Sequence, residues 1–172
     1  MKILIKSRND IEKMSKSEFG KGTALISITD AGSDFAVLIH KPDYLLQIAF
    51  DDVDNDIFID ELGRTPSVEE RQELESKYKM LSDEQALQIA SFYTDNKDSI
   101  ATLICQCEHG QSRSAAVVAA IMEFRSRRGI MVFAHDNYYP NKVVFRKVLD
   151  ALKDCIPVYD AKPGDLRKES ND

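Results

Sequence analysis

Apolar and polar positions along this chain fall into blocks that read alternately as strands and helices. Ile3-Leu4-Ile5 reads as a first strand, and Asn9 or Asp10 is placed to cap a short helix through Ile11, Met14 and Phe19. Thr23-Ala24-Leu25-Ile26-Ser27-Ile28 predicts a second strand, followed by the turn Asp30-Ala31-Gly32-Ser33. Phe35 to His40 predicts a further strand, broken by Lys41-Pro42-Asp43, and Tyr44 to Phe50 predicts another that ends at Asp51-Asp52. Ser67-Val68-Glu69-Glu70 and Ser82-Asp83-Glu84-Gln85 both carry the capping-box pattern of a helix start. The second opens a helix with Leu81, Ala86, Ile89, Ala90 and Tyr93 at helical spacing. Ser99 to Gln106 reads as a buried strand, and Ser114 to Met122 as a buried helix. Pro140 starts a last helix that turns Val143, Val144, Val148 and Leu152 inward. Alternation of this kind predicts an α/β fold in three layers, with a mostly parallel central sheet flanked by helices.

A chain of 172 residues fits one domain, here 1–161, with an insertion at about 54–80 and a polar tail over 162–172. Such a chain buries roughly 70% of its unfolded surface, enough for a core without covalent staples. The net charge of −6 argues against a nucleic-acid binder or a binder of anionic membranes. Three cysteines, Cys105, Cys107 and Cys155, cannot build a full disulfide framework, so the expected compartment is the reducing cytoplasm. Met1 to Lys6 has too short an apolar stretch for a signal peptide, and no run reaches the ~18 apolar residues of a membrane span. His40, His109 and His135 are scattered and no Cys-x2-Cys pair occurs, so neither a metal nor another cofactor is expected.

The run Gln106-Cys107-Glu108-His109-Gly110-Gln111-Ser112-Arg113-Ser114 changes this general picture into a chemical one. It lies between the apolar strand and the apparent helix. A short loop from a strand end into a helix N-terminus can cradle a phosphate, because its N–H groups converge and the helix start adds partial positive charge. The same field favours a thiolate, which is the nucleophilic form of cysteine. Arg113 is then placed to fork two N–H bonds onto two phosphate oxygens.

Cys107, five residues, Arg113 and Ser114, with Gly110 three residues after the cysteine, resembles the signature loop of the cysteine-dependent protein tyrosine phosphatase superfamily. Chain order points to its compact dual-specificity-like branch. An acid candidate precedes Cys107, whereas low-molecular-weight tyrosine phosphatases carry the loop near the N-terminus. The larger tyrosine phosphatases need a longer domain and a Trp-Pro-Asp loop, and this chain has no Trp. Tyr138-Tyr139-Pro140-Asn141 resembles a segment before the last helix in some bacterial and phage proteins of this kind, with Asn141 as a structural hydrogen-bonding residue. One departure stands out: the family usually has His before the nucleophile, and Gln106 occupies that position here. Gln can donate to a backbone carbonyl but cannot carry charge.

The resemblance implies a phosphatase of phosphotyrosine, with or without phosphoserine and phosphothreonine, working through a cysteinyl-phosphate. Its phosphate would be held by the loop from Glu108 through His109, Gly110, Gln111 and Ser112 to Arg113. Cys107 would be the nucleophile, and Ser114 would hydrogen-bond the thiolate. Ala49-Phe50-Asp51-Asp52 looks like a Pro-Phe-Asp-Asp segment whose second Asp is the general acid, which selects Asp52, with Asp51, Asp54 and Asp56 as further candidates. The implied partners are phosphorylated proteins or small phosphomonoesters. The alternatives are a catalytically weak phosphate-recognition module, or a phosphatase of nucleotides, RNA 5′ ends or lipids. Cys105 and Cys155 read as small core residues, and a reversible disulfide to Cys107 is the other reading.

Overall fold

The computed structural model describes residues 1–54 and 63–155. Four parallel strands form one sheet in the order β1-β4-β2-β3: β1 (Lys2–Ser7), β2 (Thr23–Thr29), β3 (Tyr44–Ala49) and β4 (Thr102–Cys107). The helices are α1 (Arg8–Glu12), α2 (Val68–Lys77), α3 (Asp83–Asn96), α4 (Arg113–Ser126), α5 (Ile130–Phe133) and α6 (Lys142–Asp154). The sheet is covered on both faces, giving the three-layer α/β architecture that the alternation predicts. On one face, Ile11 and Met14 pack with Leu25, Ala36 and Ile104. The larger core lies on the other face, where α3, α4 and α6 meet Ala24, Ile26, Ile28, Leu103 and Cys105.

Burial explains the composition of the central elements. Every residue of β2 is buried, as expected of a parallel strand covered on both sides. In α4 the whole run Arg113 to Ile121 is buried, and from Ala115 to Ile121 the helix is apolar all round rather than striped. Its small residues Ala115, Ala116, Ala119 and Ala120 let it pack closely in a crowded core. In α6, by contrast, Val144, Val148 and Leu152 recur every four residues and form one buried stripe.

Both predicted capping boxes form, Ser67 with Glu70 and Ser82 with Gln85. The first helix begins earlier than expected. Ser7 is its N-cap: the Ser7 hydroxyl accepts from the Asp10 amide, and the Asp10 carboxylate accepts from the Ser7 amide. Phe35 to His40 is irregular rather than a strand. Ala36 is buried and Val37 and Ile39 are exposed, so the strand-like alternation is real. The Val37 amide, however, donates to the Glu12 carboxylate at 3.0 Å instead of to a ladder, and β2 pairs directly with β3. The proposed insertion is partly described: α2 is a polar surface helix, clipped to the preceding loop by Arg64 and Glu70. Asp56 and the 162–172 tail lie outside the described residues.

Because all strands run the same way, their C-terminal ends share one edge. Ser7 is level with Cys107, and Thr29 with Ala49. In open parallel sheets this edge is where ligand-binding loops gather.

Candidate active site

Cys107 is the last residue of β4, and its side chain is on the major-core face with Leu103 and Cys105. The chain must then turn sharply beneath the end of β1. Gly110 makes this turn with φ +68°, and a Cβ there would lie 2.7 Å from Lys6 C and Ser7 N. Both the left-handed backbone and the close approach therefore demand glycine. Arg8 fixes the other side of the turn. Its amide donates to the Glu108 carbonyl at 3.1 Å, and its Nε lies 2.9 Å from Glu108 Oε2. Its Nη2 donates to Thr29 Oγ1 at 3.0 Å and to the Asp34 carbonyl.

The loop ends in the N-terminus of α4. Ser112 is the N-cap but does not cap; its hydroxyl instead donates to Asp52 Oδ1 at 2.8 Å. None of the amides of residues 108–113 donates a hydrogen bond to another of the described residues. Uncommitted amides at the start of a fourteen-residue helix are chemically suited to receive an anion. Ser114 Oγ lies 3.1 Å from Cys107 Sγ within hydrogen-bonding reach.

Arg113 is only 3% exposed, and its Nη1 meets two acceptors. Nη1 donates to the Phe50 carbonyl at 2.7 Å and lies 2.7 Å from Asp30 Oδ1. The guanidinium carbon sits 5.9 Å from the centroid of the Phe50 ring, a cation–π contact. Nε makes no hydrogen bond and lies 3.6 Å from Asp52 Oδ2. Nη1 thus anchors the side chain, while Nε lies on the Asp52 side.

The loop after β3 separates the carboxylate candidates by their partners. Asp51 is tied into the backbone: Oδ1 accepts from the Ala31 amide at 3.0 Å and Oδ2 from the Lys79 amide at 2.8 Å. Asp52 faces the cysteine loop. Its Oδ1 accepts from Ser112 Oγ and, at 3.0 Å, from Asn141 Nδ2, while Oδ2 is directed at Arg113. Asn141 is buried and uses its whole amide. Nδ2 also donates to the Val53 carbonyl at 3.1 Å, and Oδ1 caps α6 by accepting from the Val143 and Val144 amides. Asn141, not Pro140, is therefore the helix-starting residue. Asp54 lines a neighbouring cavity with Tyr139 and Lys142.

Cys107, Arg113, Ser114, Ser112 and Asp52 thus come together, with Gly110 shaping the turn between them. Glu108 points to Arg8, and His109 and Gln111 are exposed. Sequence reasoning missed Asp30 and Arg8 and saw Asn141 only as a structural residue. Asp30 and Arg8 follow β2 and β1 directly, so the rule that parallel-strand ends gather the site residues could have found them. Gln106 is on the opposite face from Cys107. Its Oε1 accepts from buried Ser27 Oγ at 2.7 Å, and its Nε2 has no hydrogen-bond partner rather than donating to a carbonyl.

The other thiols are placed differently. Cys105 is fully buried, and desolvation, with a smaller contribution from Cys107, pushes its thiol far above the usual range. Cys155 caps the far end of α6, a thirteen-residue helix about 20 Å long that starts beside the site. All three cysteines are free. Among the described residues, no three His, Cys, Asp or Glu side chains converge as metal ligands. No helix of the described residues is long and apolar enough to cross a membrane. No protein-family model matches the chain, and no curated protein matches it.

Proposed function

We propose that the protein is a cysteine-dependent phosphomonoester hydrolase of the tyrosine or dual-specificity phosphatase kind. The observation that carries this reading is the convergence of Cys107, Ser114, Arg113 and Asp52 around a loop whose amides are uncommitted. Loop amides and Arg113 bind a phosphate dianion. Cys107 Sγ attacks phosphorus, the bond from phosphorus to the leaving oxygen breaks, and Asp52 Oδ2 delivers a proton to that oxygen. Water then attacks the phosphocysteine, Asp52 takes the proton from water, and the sulfur–phosphorus bond breaks to release phosphate. Ser114 donates to the departing thiolate. Most of the acceleration comes from fixed donors meeting charge on the equatorial oxygens. The chemistry requires no metal.

Phosphorylated proteins or small phosphomonoesters are the substrates, and the reducing cytoplasm suits an unpaired nucleophilic thiol. The test is metal-free hydrolysis of an aryl phosphate from pH 5 to 8. Turnover that is abolished in Cys107→Ser and weakened in Asp52→Asn supports the proposal. Absence of turnover by the wild type, with vanadate still bound, overturns it and makes the protein a phosphate-recognition module.

A further inference from the structure

We infer that Arg8 is a positioning residue of the cysteine loop: it holds the Glu108 carboxylate away from an anion received there, and without it Glu108 opposes anion binding. The inference rests on the phosphatase reading only in the premise that this loop receives an anionic group.

The sequence sets up a conflict. Glu108 directly follows Cys107, so a full negative charge enters the loop at its first residue. A carboxylate and a dianion in one short loop repel each other, and the Glu108 amide is itself one of the uncommitted donors. Arg8 answers that charge. It directly follows β1, whose last residue is level with Cys107. Its Nε lies 2.9 Å from Glu108 Oε2. That nitrogen is buried and makes no aligned hydrogen bond, so the contact acts through charge. Among the described residues Arg8 is the only ionic partner of Glu108, whose side chain is 43% exposed. A half-exposed carboxylate without this partner is free to turn towards the loop.

Arg8 can do this because other elements hold it. Nη2 donates to Thr29 Oγ1 at the end of β2, at 3.0 Å, and to the Asp34 carbonyl. Nη1 lies 3.8 Å from Glu12 Oε1 in α1, and that oxygen also accepts from the Val37 amide at 3.0 Å. The guanidinium is thus fixed independently of Glu108, and a fixed cation loses little further freedom when the carboxylate joins it. The Arg8 backbone acts on the same residue. Its amide donates to the Glu108 carbonyl at 3.1 Å. In a trans peptide the next N–H points opposite to that carbonyl, so the His109 amide is turned away from Arg8. Gly110 then lies against Lys6 and Ser7, so the end of β1 and Arg8 back the loop along adjoining residues. One residue draws the carboxylate outward and leaves the neighbouring amide free.

The experiment measures anion binding separately from turnover. Tungstate, an inert dianion, is titrated at low salt into the wild type, Arg8→Met, Glu108→Gln and the double variant, whose dissociation constants form a double-mutant cycle. Arg8→Met is expected to weaken binding about tenfold, and adding Glu108→Gln to restore it to within about threefold of the wild type. Glu108→Gln alone is expected to change binding by less than about threefold, because Arg8 already answers that charge. If Arg8 serves folding only, Glu108→Gln restores nothing; if the two charges act independently, Glu108→Gln has the same effect in both backgrounds. Either result overturns the inference, as does failure of the wild type to bind tungstate. Should Arg8→Met not fold, Arg8→Lys carries the same cycle: it keeps the charge but loses the fork, and Glu108→Gln must again matter more there than in the wild type. Aryl phosphate turnover by the wild type is read in parallel. Coupling of Arg8 and Glu108 without turnover sinks the phosphatase reading and leaves the role of Arg8 standing; turnover without the coupling does the reverse.

Discussion

The ends of β4 and β3 face each other across the site, and they are built in different ways. The end of β4 is a continuous piece of chain. A central strand, a five-residue loop and a buried helix place Cys107, Ser112, Arg113 and Ser114 by local geometry. The end of β3 is an edge-strand loop with little structure of its own. Asp52 is held by Ser112 and Asn141, 60 and 89 residues away, and Asp51 by the Ala31 and Lys79 amides. Cys107, the proposed nucleophile, is thus positioned by the fold's own connectivity, and Asp52, the proposed acid, by side-chain ties from distant elements. The proposed hydrolysis calls on both kinds of support: a rigid loop to receive the phosphate, and an acid set against it from outside.

Mutations that break the cradle should act hardest. Cys107→Ser should lower turnover by more than ~10⁴-fold, because the bond-forming atom is gone, while leaving the melting temperature nearly unchanged. Steady-state kinetics and calorimetry on the same preparation check both halves. Gly110→Ala forces a Cβ into the backbone of Lys6 and Ser7 and places an L-residue at φ +68°. It should cost about 2 kcal/mol or more, seen as a melting temperature lower by about 4–8 °C, and weaken vanadate binding.

The acid loop should respond more gently, and its two neighbouring aspartates should separate. Asp52→Asn should lower kcat for a poor leaving group by about 10²–10³-fold with little loss of stability. Asp51→Ala leaves two backbone amides without their acceptor and should cost about 1–3 kcal/mol, read by denaturant unfolding, with a smaller effect on kcat. If Asp51 rather than Asp52 governs the acidic limb of the pH–rate profile, the assignment of roles is reversed. Asn141→Ala loses the α6 cap, worth about 1 kcal/mol, and one of the ties that hold Asp52. It should lower both stability and kcat, whereas Asn141→Asp keeps the cap but sets a second carboxylate against Asp52.

The smallest effect belongs to the return segment that carries Lys79 to Asp51. The hydrogen-bonded Arg64 guanidinium holds the Glu70 carboxyl down at about 2, against 4.5 ordinarily. A depressed carboxyl stabilises the fold above 4.5, and that contribution is lost as pH falls towards about 2. The pair lies at the surface, where solvent and salt screen it. Glu70→Gln should therefore shift the melting temperature at pH 7 by under ~1 °C, with the difference fading below pH 4.5.

The same contrast governs what the amino-acid sequence reveals. The cysteine loop is legible because its parts are contiguous: strand, glycine turn, arginine and helix lie within one short run. Both capping boxes are legible for the same reason, since Ser67 with Glu70 and Ser82 with Gln85 are local partners. Asp52 can be named from the strand before it, but what separates it from Asp51 cannot, because the deciding partners sit on other elements. Asp30 is hidden likewise: as a string it is a turn residue, and only the β4–β2 neighbourhood brings it to Arg113. Phe35 to His40 misleads for a complementary reason. Phe35 to Ile39 is an unbroken apolar run of strand-forming residues, but pairing depends on a neighbour, and β3 already occupies the edge of β2.

The central claim is that Cys107 becomes phosphorylated during turnover. Asp52→Asn, which should slow release of phosphate from sulfur, can be mixed with an aryl phosphate, quenched rapidly and digested for mass spectrometry. The account predicts a phosphoryl group on the peptide carrying Cys107, appearing with a burst of phenol and absent from Cys107→Ser. Turnover that persists in Cys107→Ser, or phosphate found on another residue, would contradict it.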